Sequence, residues 1–198
     1  MKRFLLISVA VALFASCTRN TDCPAFPATQ RAWLPYHTDE QVFFLTQGSS
    51  QMFVFNDVFF TRSYTIGSTE ACDCEAQAYC KSKIDTVNCI QLSCSAQKQN
   101  LRTEFEFKFQ HYGYRSNYFV PVNLDNFLFS IKNDGTIENA TPVDSMEVNN
   151  VWYRDVLMIE IDTVAYRSSE IYKLFIAKDK GVVRYDYKSG KSYVLRAL

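Results

Sequence analysis

Period two is the dominant signal along this chain. Residues 103–110 (TEFEFKFQ) put Phe105, Phe107 and Phe109 on one side of an extended segment and Glu104, Glu106, Lys108 and Gln110 on the other. That alternation predicts a strand with one buried and one solvated face. Three earlier runs, QVFFLT, QMFVFND and VFFTRSYTI, are aromatic and β-branched. QGSS and Asn56-Asp57 separate them with turn chemistry. Further strands are predicted at 86–94 and 127–132, the latter followed by a KNDGT turn able to take left-handed dihedrals. In 151–164 (VWYRDVLMIEIDTV) apolar residues occupy both parities, which predicts a strand buried on both faces. IYKLFIA, GVVRYDY and SYVLRAL, divided by KDKG and KSGK, predict a closing three-stranded meander. Helical signals are few. TEACDCEAQAYCKSK (69–83) is rich in helix formers and predicts one or two turns after Thr69. The fold class expected is mainly β: an antiparallel sandwich or a strongly curved open barrel with at most one or two short helices.

The first residues break this pattern. Lys2 and Arg3 precede an uninterrupted apolar run, FLLISVAVALF, and then the small residues Ala15 and Ser16 before Cys17. The three parts read as a secretory signal, the run being too short for a stable membrane-spanning helix. LFASC resembles the lipobox read by lipoprotein signal peptidase, with Phe14 where Leu is usual. The resemblance implies removal of residues 1–16 and a diacylglyceryl group on Cys17. Two or more acyl chains suffice for stable anchoring, so the expected partner is a membrane, held through lipid on Cys17. Residues 17–31 are polar with two prolines and read as a tether. Residues 32–198 are left as one β-rich domain, large enough to bury a sizeable core. In lipoprotein sorting, Asp after the acylated Cys favours inner-membrane retention and an acidic run favours the cell surface. Thr18 and the rest of TRNTD have neither, which implies the periplasmic face of the outer membrane.

Charge adds one exclusion. Beyond the signal the chain carries nineteen Lys/Arg against twenty-one Asp/Glu with no basic run, so no nucleic-acid partner is expected. Cysteine count adds a constraint. Besides Cys17 there are six: Cys23, Cys72, Cys74, Cys80, Cys89 and Cys94. An even number in an oxidising compartment predicts disulfides. Structural zinc is the rival, disfavoured because C-x2-C knuckles are absent and neither His lies near the cluster. Fifteen pairings remain open.

Two further places resemble small exported lipoproteins of Bacteroides-like Gram-negative bacteria. One is CPAFP followed by WLPY, and the other is the C-terminal GVVRYDYKSGKSYVL. The resemblance implies location and a β-rich body, and no activity.

Catalytic motifs are absent. The two histidines, His37 and His111, belong to no H-E-x-x-H, and neither G-x-S-x-G nor a Gly-rich phosphate loop occurs. Glu104 and Glu106 share the solvated face of one strand, where paired acids are what any amphipathic strand gives. Asp39-Glu40 and Asp125-Asn126 lack a calcium-loop pattern and read as loop or cap residues. No enzyme, cofactor or metal is therefore expected. Trp33, Tyr36, Tyr112, Tyr114 and Tyr118 fall in or beside loops. They are expected to plug the ends of the β body, the alternative being contact with a glycan or an envelope protein. Asp85–Val87, Asp144–Met146 and Asp162–Val164 resemble a three-residue O-glycosylation signal, with acceptors Thr86, Ser145 and Thr163. The leading expectation is a non-enzymatic envelope lipoprotein acting by binding or structural contacts. Alternatives are a half-barrel carrier for lipid or another apolar ligand, discriminated by a hollow interior, and an enzyme, discriminated by a cleft holding a histidine beside a carboxylate.

Overall fold

The computed structural model describes residues 26–66, 72–83, 89–99, 102–115, 118–161 and 169–197, with side chains at some strand positions not described. The fold is mainly β. One short helix, α1 (Ala28–Arg31), precedes twelve strands. These are β1 (Glu40–Thr46), β2 (Ser49–Ile66), β3 (Cys72–Lys83), β4 (Cys89–Gln99), β5 (Arg102–Arg115) and β6 (Tyr118–Lys132). They continue as β7 (Ile137–Glu138), β8 (Thr141–Val148), β9 (Val151–Glu160), β10 (Ile171–Ala177), β11 (Gly181–Tyr187) and β12 (Ser192–Leu195).

Every pairing is antiparallel, and the order is β7-β6-β5-β4-β3-β2-β1-β12-β11-β10-β9-β8. The first and last strands meet in the middle, with Phe44 opposite Leu195 and Leu45 opposite Val194. The edges of the sheet, β7 and β8, are neighbours in sequence. No hydrogen-bonded ladder joins them among the described residues, so the sheet curves without closing. Instead β6 packs against β9 and β10, and Ser169 Oγ, just before β10, bonds the Asp125 carboxylate of β6.

Among the described residues the main core cluster is aromatic. Phe105, Phe107 and Phe109 are at most 1 % exposed, while Glu104, Glu106, Lys108 and Gln110 remain half-buried. The alternation of that strand is therefore the alternation of inside and outside. Phe105 stacks on Phe129 of β6 at 4.7 Å, and Phe109 meets Tyr185 of β11 at 5.1 Å between ring centroids. Phe44 and Phe53 of β1 and β2 complete the aromatic contact across the interior. Each such buried side chain contributes roughly 1.5–3 kcal/mol through removal from water. In β9 both Val156 and Leu157 are buried, in two different clusters. That is the two-faced burial its sequence predicts.

Three expectations are corrected. Residues 72–83 form β3, not a helix, because ladders to β2 and β4 occupy both its edges and override the propensity of its Ala, Glu, Gln and Lys. Asn56-Asp57 is not a turn. β2 runs through it with a register shift between Phe55 and Asp57, a bulge that bends the strand. The tether expected over 17–31 gives up its last residues to the body. Phe26 packs on the core, α1 spans Ala28–Arg31, and Gln30 Oε1 accepts a hydrogen bond from Thr103 Oγ1.

The segment after α1 plugs one end of the curved sheet. Trp33 lies edge-on to Phe129 at 6.3 Å, and Tyr36 stacks on Phe55 at 4.0 Å. Trp33, Leu34 and Tyr36 are all buried. Tyr36 Oη accepts the Val182 N–H at 2.9 Å. This contact explains Gly181, whose φ is +71° and where a Cβ would stand 2.4 Å from Tyr36 Oη. Glycine alone supplies both the left-handed backbone and the space.

Candidate functional site: a groove at the plugged end

Four separated segments form a groove beside the plug. They are Pro35–His37 with the start of β1, the beginning of β9, the β10–β11 turn, and the residues after β12. Local sequence fixes each. Asp39 adopts φ +64°, tolerable for Asp, and its N–H reaches the Phe55 carbonyl at 2.6 Å. Glu40 Oε2 accepts the His37 N–H at 2.8 Å, while the Glu40 N–H returns to the His37 carbonyl at 3.1 Å. Asn149 and Asn150, with φ +50° and +63°, make the two-residue turn that suits a twisted hairpin and bring Val151 and Tyr153 to the groove. The Asp179 N–H bonds the Ala32 carbonyl at 2.8 Å, tying the β10–β11 turn to the plug. The Arg196 N–H bonds the Phe43 carbonyl at 2.8 Å, and its guanidinium lies 5.8 Å from the Phe43 ring centre.

The groove holds about 440 Å³. Phe43, Val151 and Leu195 give it apolar walls, and His37, Glu40, Asp179, Lys180 and Arg196 give it charged or polar groups of both signs. Burial pushes the Tyr153 hydroxyl above the ordinary tyrosine range, so at neutral pH it is a neutral donor and acceptor. The arrangement suits an amphipathic ligand: apolar contact along the walls and ionic or hydrogen-bonded contact at the rim. The Glu40 contact is with the His37 backbone N–H rather than with its ring.

The opposite end carries a different cluster. Tyr185 stacks on Tyr193 at 5.0 Å, Tyr187 lies tilted against both, and Tyr185 Oη donates to Gln51 Oε1. Burial first, then neighbouring tyrosines, raises the Tyr185 hydroxyl far above its ordinary range. Tyr187 is raised by burial first, then by Tyr193, Asp125 and Glu170. Tyr36 is raised by burial, against the opposing Val182 hydrogen bond. These hydroxyls are locked in the neutral form as parts of the core.

The residues singled out in sequence scatter. Trp33 and Tyr36 do plug an end. His37 is exposed at the groove, and His111 lies on β5 opposite Asn123 of β6, its side chain undescribed. The side chains of Tyr112, Tyr114 and Tyr118 are likewise outside the description. Glu104 pairs with Arg102 at 2.6 Å and Glu106 with Lys108 at 3.0 Å, as surface ion pairs of one strand. Ser145 is exposed on the edge strand β8, while Thr86 and Thr163 lie outside the described residues. Cys17 and Cys23 also lie outside them. Cys94 is buried and disulfide-bonded, and the register sets the Cα of Cys80 opposite it. Of Cys72, Cys74, Cys80 and Cys89 only the backbone is described. The backbones of Cys72 and Cys74 lie opposite Ile66 and Tyr64 of β2, and that of Cys89 opposite Tyr112 of β5.

Among the described residues no group of three His, Cys, Asp or Glu side chains is placed to hold a metal ion, and no helix is long and apolar enough to cross a membrane. The groove residues missed in sequence, Tyr153, Lys180 and Arg196, carry no local signal, since only the fold brings them together. No protein-family model, curated protein or solved structure matches the chain.

Proposed function

We propose that this chain is an envelope lipoprotein, held in the membrane by lipid on Cys17, whose β-rich body acts by binding or by structural contact. The observation that carries the binding role is the groove beside the plug, with apolar walls and a mixed-charge rim. The packing of the described core weighs in the same direction. A carrier needs a hollow, and the described core is instead packed with Phe44, Phe53, Phe105, Phe107, Phe109, Phe127 and Phe129 at no more than 1 % exposure. An enzyme reading would draw on His37 beside Glu40 in the groove, but Glu40 serves the backbone there. The sequence supports a position at the periplasmic face of the outer membrane, with an envelope protein or a glycan as the partner of the groove.

Labelled palmitate tests the anchor. Incorporation is expected in the native chain and lost in Cys17→Ala, which should accumulate as the uncleaved precursor. Label persisting in the variant would refute the lipoprotein reading. The groove is tested separately by cross-linking in intact cells from a photoreactive residue placed at Lys180, with the same residue at exposed Gln47 as the control.

A further inference from the structure

The plugged end carries a second feature. Trp152 is 67 % exposed, the most exposed large hydrophobic residue among those described. It stands two residues beyond the Asn149-Asn150 turn and is held in register with Glu147 of β8. Its neighbours Val151 and Tyr153 line the groove, so strand alternation turns the Trp152 side chain to the other face. The exposure is thus set by the backbone and is not a matter of rotamer choice.

The described chain also enters near this end, since α1 runs directly into Ala32, whose carbonyl accepts the Asp179 N–H of the β10–β11 turn at 2.8 Å. Eight residues separate Cys17 from Phe26, and fully extended they reach about 30 Å at most. Whatever holds Cys17 therefore lies within about 30 Å of Phe26. We infer that Trp152 rests in the lipid interface, so that the tip of the β8–β9 hairpin is a second membrane contact beside the acylated cysteine. The inference rests on the lipid-anchor reading. An indole has an apolar body and one N–H donor, the combination suited to the boundary between acyl chains and headgroups. Around it, Glu147, Arg154 and Asp155 leave the tip without net positive charge, so the contact needs no anionic lipid.

The test uses the full acylated chain in phosphatidylcholine vesicles whose acyl chains carry bromine. The protein has two tryptophans, and Trp33 is buried against Phe129, out of reach of lipid bromine. Native protein is expected to lose the Trp152 part of its emission, whereas Trp152→Phe should keep all of its own. Equal emission loss in both proteins, or none in either, with mass spectrometry showing an acylated Cys17, would overturn the contact and leave the anchor intact. An unacylated Cys17 would instead remove the anchor and the contact with it.

Discussion

Tyr36→Phe removes one oxygen and should cost more than its size suggests. In the native fold Tyr36 Oη accepts the Val182 N–H at 2.9 Å within a fully buried contact. The variant keeps the ring and its stack on Phe55, so little apolar burial is lost. What is lost is the acceptor, leaving a buried N–H without a partner, at a cost of about 1–3 kcal/mol. For a chain of this size each kcal/mol moves Tm by about 2–4 °C, so a fall of roughly 2–12 °C is expected. Thermal unfolding followed by circular dichroism measures it, and hydrogen exchange at Val182 locates it. Gly181→Ala attacks the same contact from the other side. It adds about 1–2 kcal/mol of backbone strain at φ +71° to a Cβ placed 2.6 Å from Tyr36 Cζ. Because Cζ remains in the phenylalanine variant, the double substitution should recover only part of the loss. An unchanged Tm together with unchanged exchange at Val182 in Tyr36→Phe would refute this account of the plug.

Two other outcomes follow from the core. Stability should fall steeply above pH 10. Unfolded tyrosines ionise near pH 10, while Tyr36, Tyr185 and Tyr187 keep their protons when folded. The folded state then holds more protons, and stability present below pH 10 is lost as pH rises, by about 1.4 kcal/mol per pH unit for each of the three groups; a flat denaturant midpoint between pH 10 and 11 would contradict it. Phe107→Ala should cost about 3–5 kcal/mol in a chemical melt, and native protein purified in parallel should bring no stoichiometric internal lipid on mass spectrometry. A small loss accompanied by bound lipid would favour the carrier reading.

Where local pattern and tertiary environment agree, the sequence is a sufficient guide. The alternation of Phe105, Phe107 and Phe109 reads directly, as does the closing meander, whose turns hold Gly181 and Gly190 at positive φ. Disagreement arises where partners from elsewhere decide. The alanines and glutamines of β3 prefer a helix in isolation, yet two flanking ladders make them a strand. Asn56 and Asp57 are as apt for a bulge as for a turn, and only pairing with β1 and β3 distinguishes the two. Prolines made the segment before Trp33 resemble a free tether, although Pro27 only precedes the first turn of α1. The groove is the extreme case. His37, Tyr153, Lys180 and Arg196 span most of the chain, and no window along the sequence contains them together.

The pairing of β1 with β12 has a consequence for how the molecule is made. Phe44 and Leu195 are 151 positions apart, yet their ladder joins the two halves of the sheet. During synthesis β1 waits with one edge bare until almost the whole body has emerged. Contacts of such long sequence separation slow folding, and an unpaired strand edge is open to pairing with another chain in the interval. β1 carries Val42, Phe43, Phe44 and Leu45 in succession, so until β12 arrives its bare edge is an apolar one open to pairing with another chain.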